Sequence, residues 1–166
     1  MTLEQIAARA ERYAHEAMAA GVEYHLGGGA SKARTSVPWR PFLNKDHETR
    51  LGCDCSSFVC WVSGVDKNID GLWYNTDNIK ADVLGPNKRW KKLDAPVRGC
   101  AVVYGGHRNS EGKWKVGHCA IVLDPVSQTI VDASGSRDGI YVHKDDKAKF
   151  FTRTDVVFCC PIEAMP

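Results

Sequence analysis

The sequence has almost no net charge, no long apolar run, no paired cysteine spacing and no basic leader, and each absence narrows what it encodes. Lys and Arg number 22 against 20 Asp and Glu, a formal charge of +2, so there is no basic excess to drive counterion release, and no nucleic-acid partner is expected. No stretch approaches the roughly 18 apolar residues of a bilayer span, so no membrane insertion is expected. A secretory signal has a basic start, an unbroken apolar stretch and a small-residue cleavage site. Here the opening Met1-Thr2-Leu3-Glu4-Gln5 runs into a segment broken by Arg9, Glu11, Arg12, His15 and Glu16. The expectation is synthesis in the cytoplasm without a signal peptide, with any outside action following lysis or dedicated export.

The seven cysteines, at 53, 55, 60, 100, 119, 159 and 160, are an odd number, so at least one thiol stays unpaired in any monomeric disulfide scheme. Their spacings are C-x-C and C-C, whereas structural zinc sites favour C-x₂-C or H-x₃₋₅-H. No metal or organic cofactor is expected, and reduced thiols are the default for a cytoplasmic chain. Cys100, Cys119, Cys159 and Cys160 lie in apolar, strand-like runs and Cys60 in an apolar helix, where cysteine acts as a small buried hydrophobe.

With 166 residues, 43% hydrophobic and 25% charged, the chain has the composition of one globular domain spanning 1–166. Leu3, Ile6, Ala7, Ala10, Tyr13, Ala14, Ala17 and Met18 recur at helical spacing, so 3–20 is predicted as an amphipathic helix. Thr2 and Gln5 form its capping box and Gly21 its stop. Residues 27–50 read as loop, with Gly27-Gly28-Gly29, Pro38 and Pro41. A second helix is predicted from Cys55 to Ser63, ended by Gly64. The segment 66–99 is mixed, broken by Gly71, Gly85, Pro86 and Pro96. Beyond Gly99 the pattern turns to strands: Cys100–Tyr104, Gly117–Leu123, Thr129–Ala133, Ile140–His143 and Val156–Cys160. Helices first and a meander after them read as α+β.

The most informative stretch is Gly52-Cys53-Asp54-Cys55-Ser56-Ser57-Phe58-Val59. With Asp54 as cap, Cys55 falls in the first helical turn, where unpaired N–H groups and the dipole favour a thiolate by about 0.3–1 kcal/mol or more. The same N–H groups suit an oxyanion formed when that sulfur attacks a carbonyl. His118, at the start of the strand Gly117-His118-Cys119-Ala120-Ile121-Val122, is the candidate base. Asp132, an acid in the apolar run Ile130-Val131-Asp132-Ala133-Ser134, is the candidate orienter. An antiparallel hairpin turning at Asp124–Gln128 predicts His118 directly opposite Asp132, and a one-residue slip would turn one of them away.

Other residues read more plainly. His107 is expected on a solvated glycine-rich tip, His143 on a strand surface and His15 on a helix surface, while His25 stands close to the candidate cleft. Gly27-Gly28-Gly29 lacks the strand and Lys-Ser/Thr of a phosphate cradle and reads as tight backbone beside the cleft. Trp73, with Tyr74 and Asn75, is a candidate substrate wall, the rival being ordinary packing. Lys88-Arg89-Trp90-Lys91-Lys92 reads as a solvated face.

Taken together, the blocks around Cys55, His118 and Asp132, with Glu23-Tyr24-His25-Leu26-Gly27-Gly28 upstream, resemble the NlpC/P60 cysteine peptidases, in the same order and over about residues 5–160. The resemblance implies a papain-like α+β fold, N-terminal helices packed on a central antiparallel sheet. It implies Cys55 as nucleophile, His118 as base and Asp132 as the third polar residue, with Tyr24, Asp54 and Ser56 at the substrate site. It also implies cleavage of amide bonds in peptidoglycan stem peptides or muropeptides, by a phage lysin, a tail-associated hydrolase or a secreted antibacterial effector. Such a protein acts on the cell wall or in the periplasm, an effector with an immunity or delivery protein as partner. The sequence departs from the family at Ser57, where Gly is usual, at Cys100, where Asp is typical, and at Asp132, where His is commoner. These departures are compatible with a divergent cousin such as the CHAP amidases. A catalytically inactive cell-wall-binding module on the same fold, a thioester-based acyltransferase and a zinc-stabilised interaction domain are the alternatives.

Overall fold

A computed structural model describes residues 1–69, 72–85 and 88–164; the predicted breaks at Gly71 and Pro86 lie outside them. The chain begins with helix α1 (Leu3–Ala20) and strands β1 (Val22–Tyr24), β2 (Arg40–Leu43) and β3 (Thr49–Cys53), then helix α2 (Cys55–Val62). Strands β4 (Asn68–Ile69) and β5 (Leu72–Trp73) precede helix α3 (Thr76–Leu84) and β6 (Trp90–Leu93). There follow β7 (Ala101–Tyr104), β8 (His107–Arg108), β9 (Trp114–Lys115), β10 (His118–Asp124), β11 (Thr129–Ser134), β12 (Gly139–Lys144) and β13 (Val157–Pro161). The architecture is α+β. A six-stranded antiparallel sheet runs in the order β12-β11-β10-β7-β13-β6, and a three-stranded sheet in the order β1-β3-β2 has β1 parallel to β3.

The first helix starts and stops where its caps dictate. Thr2 and Gln5 bond reciprocally at its N-terminus and Gly21 closes it at φ 64°. Of its predicted apolar stripe only Met18 is displaced, 54% exposed at the outer edge. In α2 all eight residues are buried. Burying side chains such as Phe58, Val59 and Val62 contributes about 1.5–3 kcal/mol each, against about 1 kcal/mol for a cap. The core contacts therefore fix this helix, and the cap sets where its first turn opens.

Period-two alternation divides the large sheet between two hydrophobic clusters. Cys119, Ile121, Leu123, Val131 and Ala133 join the cluster that holds α1 and α2, whereas Ala120, Val122 and Ile130 pack with Phe150 in the other. Helix α2 lies on β10 and β11, α1 on β12, and α3 on β6 and β7.

Three expectations are corrected. Residues 27–50 are not all loop: β2 and part of β3 lie there, paired Arg40 to Gly52 through Leu43 to Thr49, in a run whose prolines and exposed polar residues hide an edge strand. The stretch 88–92 is not simply a solvated face. The Asp82 carboxylate accepts the N–H groups of Lys88, Arg89 and Trp90, and Trp90 is fully buried at the start of β6. Finally, β10 and β11 pair Ile121 with Val131 and Val122 with Ile130, two residues away from the expected register. The ladder shifts again between Val122 and Asp124, where Leu123 has no partner. Asp124 sets this turn by accepting the N–H groups of Val126 and Ser127, with Gln128 at φ 54°. Among the described residues no helix is long and apolar enough to cross a membrane.

Candidate active site

Asp54 ends β3's run into the helix with extended backbone, and its Oδ1 accepts the Ser57 N–H at 2.7 Å. This cap places Cys55 at the first helical position, as the sequence predicts. The Ser57 N–H is taken by that carboxylate and the Phe58 N–H by the Asp54 carbonyl. The helix-start donors that remain for an oxyanion are those of Cys55 and Ser56.

His118 is the first residue of β10, at the end of the sheet. Its ring stacks on Phe150 at 5.6 Å between centroids, is electrostatically coupled to the Cys55 thiol, and bonds through Nε2 to Asp132 Oδ2 at 2.6 Å. With Nε2 on the carboxylate, Nδ1 is the ring nitrogen left for the thiol. The two-residue register shift does not break this contact, because an even shift keeps both side chains on one face. They meet diagonally rather than directly opposite.

The electrostatics separate Cys55 from every other cysteine. A hydrogen bond from Cys119 and the facing His118 outweigh burial and bring the Cys55 thiol down to about 5. Burial alone would lower His118, but the Cys55 thiolate and Asp132 raise it to about 10. Burial raises the other six: Cys60 and Cys100 to about 12, Cys53, Cys119 and Cys159 well above their usual value, and Cys160 upward. Between the two limits Cys55 is a thiolate and His118 an imidazolium.

His143 belongs to this cluster and is not a surface residue. Its Nε2 lies 2.9 Å from Asp132 Oδ1 and its Nδ1 2.6 Å from the Lys144 carbonyl. Two acceptors facing two ring nitrogens require both to donate, so His143 is held protonated, in line with its raised pKa. That pKa is raised because the Asp132 bond outweighs burial. Burial raises Asp132, but hydrogen bonds from His118 and His143 leave it below the usual carboxylate value. The signal for His143 lay in the β11–β12 hairpin, where it pairs with Ile130, two residues and one face from Asp132.

Two clefts open beside these groups and share Val116 and Gly117. One, of about 220 Å³, is lined by Cys55, Ser56, Trp73, Trp114 and Leu26; the other, of about 320 Å³, by His118, Asp132, Tyr24, Tyr104 and Ser134. Only glycine fits at 117, since a Cβ would stand 2.4 Å from Thr76 Oγ1 and the Tyr104 carbonyl. Tyr24 pairs with Cys53 across β1 and β3, and its hydroxyl is electrostatically coupled to the Cys55 thiol. Burial first and the Cys55 charge second raise its pKa, so it stays a donor. Trp73 lines the first cleft together with Trp114 and Val116, which sequence reading passed over.

Other predicted site residues are placed differently. Asp54 lines the first cleft but is only 4% exposed, and its oxygens are engaged by Gly27 N–H, Ser56 Oγ, Ser57 N–H and Lys67 Nζ. It holds the cleft's frame rather than offering free lone pairs. Ser56 likewise gives its hydroxyl to Asp54. His25 stacks on Phe42 at 4.0 Å, toward β2, and His107 sits in β8 with its ring edge-on to Tyr104. Gly29, at φ +97°, is tight backbone as expected: a Cβ there would lie 2.6 Å from Ser57 Cβ. Among the described residues no three His, Cys, Asp or Glu side chains gather into a set that could hold a metal.

No family model, curated protein or solved structure matches the chain.

Proposed function

We propose that the protein is a papain-like cysteine hydrolase that cleaves amide bonds within peptidoglycan stem peptides. The observation that carries this reading is the grouping of Cys55 at the start of α2, His118 electrostatically coupled to its thiol, and Asp132 2.6 Å from His118 Nε2. The order of its motif blocks, which resembles that of the NlpC/P60 peptidases, supports the substrate class. A cleft lined by Cys55 and an adjoining one lined by His118 and Asp132 suit a bond inside a peptide rather than at its end.

In this mechanism the Cys55 thiolate attacks the scissile carbonyl carbon and the oxygen becomes an oxyanion. The N–H groups of Cys55 and Ser56, and the Tyr24 hydroxyl, stabilise that charge. Collapse breaks the C–N bond as the His118 imidazolium gives its proton to the leaving amine, leaving a thioester on Cys55. Neutral His118 then takes a proton from water, which attacks the thioester. Loss of the carboxylic product regenerates the thiolate–imidazolium pair, with Asp132 orienting the ring throughout.

The test is digestion of purified peptidoglycan by the wild type and by Cys55→Ala, with mass spectrometry of the released fragments. New amine ends from the wild type alone are expected. Equal product from the variant would refute Cys55 as nucleophile, and no product from either would refute the substrate.

A further inference from the structure

Lys67 is buried to 1% exposure in the loop after α2, directly beneath the helix start. Its three N–H donors are all used: Nζ lies 2.8 Å from both Asp54 oxygens and 2.7 Å from Ser57 Oγ. Ser57 Oγ in turn donates to the Gly28 carbonyl at 2.6 Å, and the Gly27 N–H donates to Asp54 at 3.0 Å. One ammonium thus ties the cap of the nucleophile helix to the glycine backbone that edges the cleft. Trp73 covers it, with Nζ 4.6 Å from the ring centroid, so one side of the cleft wall is also the lid over this charge.

We propose that Lys67 is a positioning residue for Cys55: it cancels the charge of the capping carboxylate next to the nucleophile and holds Asp54 as a neutralised cap. This rests on Cys55 being the nucleophile. The chemical problem it answers is general. A carboxylate is a good helix cap, yet one residue before a sulfur that must ionise it opposes the second negative charge. Around Cys55, Cys119 and His118 favour the thiolate, while burial and Asp54 oppose it. The other titratable groups facing the sulfur are Tyr24 from β1, Tyr104 from β7, and Cys53 and Cys60 from its own segment. None of these supplies a cation at Asp54, whereas Lys67 does so bidentately.

The experiment follows the rate of Cys55 alkylation by iodoacetamide against pH, read on the Cys55 peptide by mass spectrometry, in the full chain. No substrate is involved, so the outcome is independent of the peptidoglycan reading. A wild type without a low midpoint would count against the nucleophile itself. Lys67→Met leaves Asp54 uncompensated and is expected to raise the midpoint by about one pH unit or more. The double variant Asp54→Asn/Lys67→Met removes both charges and is expected to return within about half a unit of the wild type. A wild-type midpoint in folded Lys67→Met overturns the proposal. If Lys67→Met does not fold, the double variant decides. A wild-type midpoint there shows that the two charges cancel at the sulfur, and a midpoint raised by a unit overturns the proposal by showing that the lysine acts without Asp54.

Discussion

Two buried carboxylates, Asp54 just before Cys55 and Asp132 behind His118, serve the same candidate site and are compensated in opposite ways. Asp54 faces a lysine whose three donors are fixed on it and on Ser57, whereas Asp132 faces two histidines, one on each oxygen. All three N–H donors of Lys67 are engaged by buried partners, so the first pairing acts as an anchor. In the proposed reaction His118 gives its proton to the leaving amine and takes one back from water, so the second pairing can take part in proton transfer. Under the proposed function, the contrast lets one small region hold a helix start rigidly while His118 passes a proton.

The largest effect that could break this contrast is on the reaction itself. Asp132→Asn, which preserves shape but removes the charge facing His118, is expected to lower kcat by about 10²–10⁴-fold. Its urea midpoint should move far less than its rate. Equal effects on stability and rate would make Asp132 a second anchor. Next in size, Lys67→Met is expected to destabilise the fold by about 3 kcal/mol in urea unfolding, because a buried carboxylate loses its partner. Asp54→Asn/Lys67→Met should recover most of that loss.

His143→Gln removes a charged hydrogen bond from Asp132 and is expected to cost about 1.5–3 kcal/mol of stability. It should lower kcat without raising KM, which steady-state kinetics would show. The pH profile sharpens the same point. The reactive form needs Cys55 deprotonated and His118 protonated, so the rate should rise through about 5 and fall through about 10. A single ascending limb near the ordinary thiol value would contradict a preformed ion pair. The smallest effect is at the wall: Trp73→Ala is expected to raise KM several-fold with little change in kcat, as loss of about 1 kcal/mol of uniform binding requires.

Much of this was legible in the sequence because it is written in local patterns. The α1 stripe and its capping box, the Asp54 cap that places Cys55 at the helix start, and the alternating strands after Gly99 all depend on residues within a turn or a hairpin of each other. The His118–Asp132 contact was also legible, although its register was not, because bulging of Leu123 depends on how Asp124 closes the turn. Lys67 was illegible. It sits in no periodic pattern, and its partner Asp54 lies thirteen positions earlier, on the far side of α2. His143 was missed for a different reason: a polar residue near a strand end normally faces water, and only the pairing of β11 with β12 turns it toward Asp132. Strand β2 was hidden by its composition, an exposed edge carrying Arg40 and Pro41, and such charge and proline also guard an edge against aggregation.

The central claim is that Cys55 alone among seven cysteines is ionised near neutrality, and brief treatment with iodoacetamide at pH 6 followed by peptide mapping tests it most directly. The expected result is one adduct per chain, on Cys55, which disappears in His118→Ala. Labelling spread over several cysteines, or an unlabelled Cys55 in the folded wild type, would contradict the account.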